Sequence, residues 1–250
     1  MGFWPIFKRE MKAFLVSPST YLVLTIFLLL SGYFFYTDLI KFNWFNVLGK
    51  ENLMTGLWQY YFNDLRFIMI FVLPLFTMRL FAEEKKLGTM ELIKTYPVRD
   101  TEIIAGKYLA CIAVFGVMLA LTLTYVVLIG VIWNFLEIAP VMAGYLGIFL
   151  LGCALIACGL FVSSVTDNQV VAAIGTMGFF IFFWFLTWNE MIGSAELIAI
   201  LKRVSLFDAV FDFFKGVINT RNIIFFLLVA FFFLFLTHRA LGSRAVKGVK

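Results

Sequence analysis

Charge is what this 250-residue chain has least of: Asp, Glu, Lys and Arg together make up 14% of it, and there is a single histidine. A water-soluble domain is about 25% charged and roughly 45–50% apolar. Here 63% of residues are hydrophobic and the mean hydropathy is +0.99. A globule of this size cannot hide so much apolar surface, which excludes a soluble enzyme and a disordered chain alike. The solvent must be lipid. Five prolines and 18 glycines are too few for a low-complexity segment. Cys111, Cys153 and Cys158 all lie in apolar runs without metal-ligand spacing and read as small hydrophobes. A phosphate-cradling loop needs G-x-x-x-x-G-K-[ST]. Gly49-Lys50 and Gly106-Lys107 are followed by Glu51 and Tyr108, with Trp44 and Thr101 where the first glycine should stand. H-E-x-x-H and G-x-S-x-G are also missing, and His238 sits at a helix end beside Arg239. No catalytic residue, no metal site and no nucleotide site is expected in this chain, and it is not expected to be an enzyme by itself.

What the chain has instead is long apolar runs. A spanning helix needs ~20 mostly apolar residues, and six segments qualify, at about 19–37, 62–81, 106–133, 141–165, 170–188 and 223–241. The expected fold class is an all-α integral membrane protein, one domain over 1–250. The third run, 28 residues long, would measure about 42 Å and must tilt or protrude. Pro74 should kink the second. The first is read as a retained helix rather than a cleaved signal, because no small-x-small site follows it. With the N-terminus in the cytoplasm, thirteen Lys and Arg fall on inner segments against seven on outer ones, so both termini are expected inside. Trp58, Trp133 and Trp188 would then mark outer helix ends.

Three segments outside the runs carry pattern. Residues 3–16 place Trp4, Phe7, Met11, Phe14 and Leu15 on one helical face and Lys8, Arg9 and Lys12 on the other, as a helix lying in the interface does. In 189–221, Phe207, Val210, Phe211, Phe214 and Ile218 share a face, and Ser205 with Asp208 forms a capping box. This suggests two short re-entrant helices at the outer surface, where a solvated loop is the alternative. The inner segment 82–97 is the most charged. Thr89 can cap a short helix over 90–95 with Glu91 in its first turn, and Pro97 stops it. Asp100 can cap the long third run. An ordinary solvated loop would have the same composition.

That inner segment reads Arg79-x-x-Ala82-Glu83-Glu84-Lys85-x-x-Gly88-Thr89-x-Glu91-Leu92, then Thr95-x-Pro97-Val98, then Ile103-Ile104-x-Gly106-Lys107. In this it resembles the permease subunits of ABC-2 (type V) exporters. Two further stretches are similar to the gliding-motility and nitrous-oxide-accessory branch. One runs from Lys8-Arg9-Glu10 to Ser17-Pro18-Ser19-Thr20-Tyr21-Leu22. The other is Phe207-Asp208-x-x-Phe211-x-x-Phe214-x-Gly216-Val217-Ile218, with Arg239-Ala240-Leu241 beyond the last run. Lys215 stands where that branch has Arg.

The resemblance implies six spans and a coupling segment that docks on a separate ATPase. It places that role on Glu83, Glu84, Lys85, Lys86, Leu87, Gly88, Thr89, Met90, Glu91, Leu92, Ile93 and Pro97. It implies two copies of the ATPase, which would bind ATP and Mg²⁺, and a second permease subunit, identical or homologous. It leaves room for a periplasmic or accessory protein and calls for no nucleic acid. The expected location is the inner membrane, and the expected work is export of a cargo or transmission of force across the bilayer. The alternative class, an ion-coupled transporter or channel, would need carboxylates or broken helices at the midplane. Only the second run carries an acidic residue, Asp64, near its outer end.

Overall fold

The computed structural model describes residues 3–47, 55–89, 99–133, 138–188 and 205–247, and among these there is no strand. The helices are α1 (Trp4–Val16), α2 (Pro18–Val47), α3 (Thr55–Thr77), α4 (Arg79–Lys86), α5 (Asp100–Trp133), α6 (Ile138–Val165), α7 (Gln169–Trp188), α8 (Phe211–Phe214) and α9 (Thr220–Lys247). Among the described residues five stretches are long and apolar enough to cross a membrane: Pro18–Trp44, Gly56–Lys86 through α3 and α4, Asp100–Ile132, Ile138–Val165 and Thr220–Gly242. The apolar part of α7, Gln169–Phe185, falls just short of that length.

The helices overrun the apolar segments that seeded them. α2 continues ten residues past Thr37 and takes in Asp38 and Lys41, which pair along its surface at 2.9 Å. α3 begins at Thr55, which puts Trp58 in its first turn. Trp58 is 1% exposed and packs against Phe35, Tyr61 and Phe62. The side chains of Trp133 and Trp188 lie outside the described residues. α5, at 34 residues, is about 50 Å long. It starts one residue earlier than a cap at Asp100 would allow: Asp100 is already helical, and the Glu102 carboxylate accepts the Arg99 N–H at 3.3 Å.

Pro74 stays inside α3. The break comes at Met78, whose N–H bonds to the Pro74 carbonyl at 2.9 Å, and α4 starts afresh at Arg79. The groups orphaned there are met from α6. The Ser163 hydroxyl donates to the Met78 carbonyl at 3.0 Å and accepts the N–H groups of Phe81 and Ala82, each at 3.1 Å. One buried hydroxyl therefore uses its full bonding capacity at a helix break.

α6 is the hub. It packs against α3, α4, α5, α7, α8 and α9, and 78% of its most apolar stretch is buried against 22% for α9. Its glycines make this possible. A Cβ at Gly152 would lie 2.1 Å from the Phe115 ring, and one at Gly159 would lie 2.2 Å from the Thr77 hydroxyl. Both serve packing within the chain, as small residues do where helix backbones approach closely. Around this hub α2, α5 and α9 keep broad apolar faces outward, the arrangement expected of helices whose surroundings are acyl chains.

Candidate functional site: the two ends of the bundle

At one end, α1 lies across the feet of α4 and α5. Gly106 lets it close in, since a Cβ there would sit 2.7 Å from Ile6 Cγ2. Beside that contact Lys107, 1% exposed, extends its ammonium to Glu10 Oε1 at 3.1 Å and Glu84 Oε1 at 2.9 Å, under the Phe81 ring. Arg9 Nη2 reaches the same two oxygens at 2.6 and 2.7 Å. Two cations and two carboxylates from α1, α4 and α5 thus form a neutral, largely buried clasp. Burial pushes the Glu10 carboxyl upward, but Lys107 and Arg9 outweigh it and hold it below the usual carboxylate range.

The amphipathic helix expected over 3–16 is present, with a different inner face. Glu10 and Phe14 are its buried residues, Ile6, Phe7 and Met11 are half-buried, and Trp4 and Leu15 are exposed. A buried glutamate was not legible from an apolar face. It is buried because Lys107, 97 residues away, supplies its counter-charge.

The charged segment expected to serve a partner is spent partly inside the chain. Glu83 pairs with Arg79 at 3.0 Å, and Arg79 also donates to Ser17 Oγ at 2.9 Å and to Ser19. Glu84 belongs to the clasp. Lys85, 9% exposed, donates to the Ser164 carbonyl and to that of Thr166 at 3.3 Å, with Asp167 at 3.6 Å, so it fastens α4 to the turn between α6 and α7. Thr89 donates to the Glu84 carbonyl at 3.2 Å. Lys86, Leu87 and Gly88 are exposed, and Gly88 turns the chain out of α4 with φ +68°. Met90, Glu91, Leu92, Ile93 and Pro97, with the helix expected over 90–95, lie outside the described residues.

At the far end the chain from Ser205 to Gly216 folds over α3 and α6. The first half of the expected re-entrant pair, within 189–204, lies outside the described residues. The second half is not one helix over 207–218. It is a run of turns and the single helical turn α8. Ser205 Oγ does accept the Asp208 N–H at 3.2 Å, as the capping box required. Gly216, at φ +81°, then closes the segment. Its N–H bonds to the Phe213 carbonyl at 3.0 Å and that of Val217 to the Asp212 carbonyl at 3.0 Å, a Schellman stop. Phe207, Val210 and Phe214 are buried and Phe211 half-buried, but Ile218 is 56% exposed because it follows the stop. Phe213, missed by the face pattern, is fully buried over Gly147.

What holds the segment is Arg66, 4% exposed at the middle of α3. It donates to the Phe207 carbonyl at 2.7 Å and to Asn63 Oδ1 at 2.6 Å. Its guanidinium lies 4.5 Å from the Trp184 ring centroid and 4.4 Å from that of Phe211. In the sequence Arg66 is one of few charges in an apolar run, two residues from Asp64. Its cage comes from α7 and the 205–214 segment.

The sequence profile described as ABC-2 family transporter protein matches residues 4–236. The chain belongs to the ABC-2 transporter family. The match takes in α1, the clasp, the hub α6 and the far-end segment, so both ends described above belong to the family domain. No curated protein matches the chain. Membership makes this ABC-2 protein a multi-pass membrane protein and a permease of the ABC class, whose partner is an ATPase. The described residues of the ABC-2 chain hold no group of three or more His, Cys, Asp or Glu that could hold a metal ion.

Proposed function

We propose that the chain is the permease subunit of an ABC exporter, with a separate ATPase driving it through the segment that follows α4. In this reading α7 is the fifth of six spans, the α1 end faces the cytoplasm and the protein sits in the inner membrane. ATP and Mg²⁺ belong to two copies of the ATPase, and this chain performs no chemistry of its own. A second permease subunit, identical or homologous, completes the assembly, and Glu83–Tyr96 is its coupling element. The stretches around Lys8-Arg9-Glu10 and Phe207–Ile218 favour the gliding-motility and nitrous-oxide-accessory branch.

One observation carries the mechanical part of the reading. Between Lys85, fixed to the α6–α7 turn, and Glu84, fixed to α1 and α5, the end of α4 is tied to three other parts of the bundle. A load applied at the exposed Lys86-Leu87-Gly88 turn reaches all of them together, because packed elements respond as units rather than by continuous deformation. A coupling element has to be stiff on its membrane side and available on its other side, and this turn has both properties. Exposed charges at such a contact set register and rate of docking more than affinity.

The test is the double substitution Lys86→Glu with Leu87→Asp in the assembled complex. The expected result is loss of ATPase co-purification, or hydrolysis uncoupled from transport, with the permease's own unfolding midpoint unchanged. Normal assembly and coupling would remove the turn from the mechanism. Orientation is tested separately. A cysteine replacing the exposed Val217 should react with an impermeant thiol reagent in intact cells, and one replacing the exposed Lys12 should not; the reverse pattern would invert the topology.

A further inference from the structure

Between the 205–216 segment and the start of α9 lies a cavity of about 410 Å³, within the range of ligand sites, roughly 300–1,000 Å³. Its lining is graded. Asp208, Asp212 and Arg221 stand at one end, and Ile224, Phe225 and Leu228 descend from it along α9. Ile224 and Leu228 are 52% and 60% exposed, so the apolar side of the cavity opens onto the surface that faces acyl chains. The polar end carries both signs of charge. Asp208 lies close enough to Arg66 to act on it electrostatically. The Asp212 carboxylate is oriented by Asn222, which donates to its Oδ2 at 2.9 Å and to the Ala209 carbonyl at 2.9 Å. Among the described residues neither Asp212 nor Arg221 is in an ion pair.

We propose that this cavity binds a zwitterionic phospholipid, with its phosphate on Arg221, its ammonium on Asp212 and one acyl chain against Ile224, Phe225 and Leu228. An anionic headgroup would set its surplus charge against Asp212, and a cationic amphipath would meet Arg221. Only a headgroup with both charges uses both residues. The apolar wall requires a chain, which separates a lipid from a free phosphate ester carrying the same headgroup. The site requires only that the chain lie in a bilayer and is independent of any ATPase.

The experiment is native mass spectrometry of the full-length chain released from detergent, titrated with lysophosphatidylethanolamine, lysophosphatidylglycerol or glycerophosphoethanolamine. The expected result is one saturable site for the first. The second should bind about tenfold more weakly and the third should not compete. Arg221→Gln, at an exposed position, should weaken lysophosphatidylethanolamine binding about tenfold with an unchanged unfolding midpoint. Asp212→Asn should erase the preference over lysophosphatidylglycerol; if that variant does not fold, Arg221→Gln alone decides. Equal binding of both lysolipids to the wild-type chain, wild-type affinity in Arg221→Gln, or effective competition by glycerophosphoethanolamine would each overturn the site.

Discussion

The two ends of the bundle are fastened by opposite means. At the α1 end four charges neutralise one another across three helices, and one of them, Arg9, is 49% exposed. At the far end a single buried arginine is held by a carbonyl, an amide oxygen and aromatic faces. The first arrangement trades partners cheaply at its wet edge, since Arg9 and Lys107 both address Glu10 and Glu84. The second is fixed by shape: Arg66 fits one geometry, that of a planar cation stacked between rings. An end that must pass on movement suits the first design, and an end that must stay closed suits the second. Substitutions at each end should separate these roles.

The largest effect is expected from Lys107→Ala. It leaves Glu10 and Glu84 with the half-exposed Arg9 as their one shared cation in the clasp, and removing one partner of a buried ion pair costs about 3–5 kcal/mol. The expected outcome is a strongly lowered unfolding midpoint or loss of folded protein, measured by detergent-solubilised thermal unfolding. A midpoint within error of wild type would mean that the clasp does not hold α1. Next is Arg66→Lys, which keeps the charge but loses the stacked fork. A desolvated cation–π contact is worth about 2 kcal/mol. The loss should appear first as faster proteolysis around 205–216, while the α1 end stays protected.

Ser163→Ala probes the break between α3 and α4, where the Ser163 hydroxyl bonds two N–H groups and a carbonyl. The substitution strands these groups, at about 1–3 kcal/mol. Reduced thermal stability is expected, and Ser163→Thr should keep part of the bonding.

How much of this was legible follows from the range of each interaction. The apolar runs are local, so among the described residues five of the six segments reappear as helices long enough to span, and 170–188 reappears as the 20-residue α7. Helix ends were misjudged wherever polar residues continue a helix, as Asp38 and Lys41 do in α2. The single face drawn over 207–218 failed because Gly216 ends the helical turn before Ile218. The clasp was out of reach for a different reason. Glu10, Glu84 and Lys107 were all in view as motif residues, but nothing within one sequence says that their charges meet. For the same reason the intrachain counter-charges of Glu84 could not be read from the sequence. Ser163 gave no signal at all, because its acceptors and donors exist only once α3 breaks at Met78.

The smallest expected effect is a pH dependence confined to the α1 end. The folded Glu10 carboxyl titrates below its unfolded value, because Lys107 and Arg9 overcome its burial. A carboxylate with a depressed folded pKa contributes stability that is fully present above the unfolded value, about 4.3 for Glu. That contribution is lost as pH falls through the folded value. Glu10→Gln removes it at every pH, though Lys107 and Arg9 keep Glu84 as a partner, so the cost at neutral pH should be less than that of Lys107→Ala. The unfolding midpoints of wild type and Glu10→Gln should therefore differ by a constant amount well above the unfolded value and converge toward the acid limit below it. Arg66→Lys, whose site depends on a guanidinium that stays protonated throughout, should keep a constant gap from wild type over the same range. A gap for Glu10→Gln that stays constant down to that acid limit would show that Glu10 is held by packing and not by its charge. The contrast between an ionic end and an aromatic end would then lose its basis.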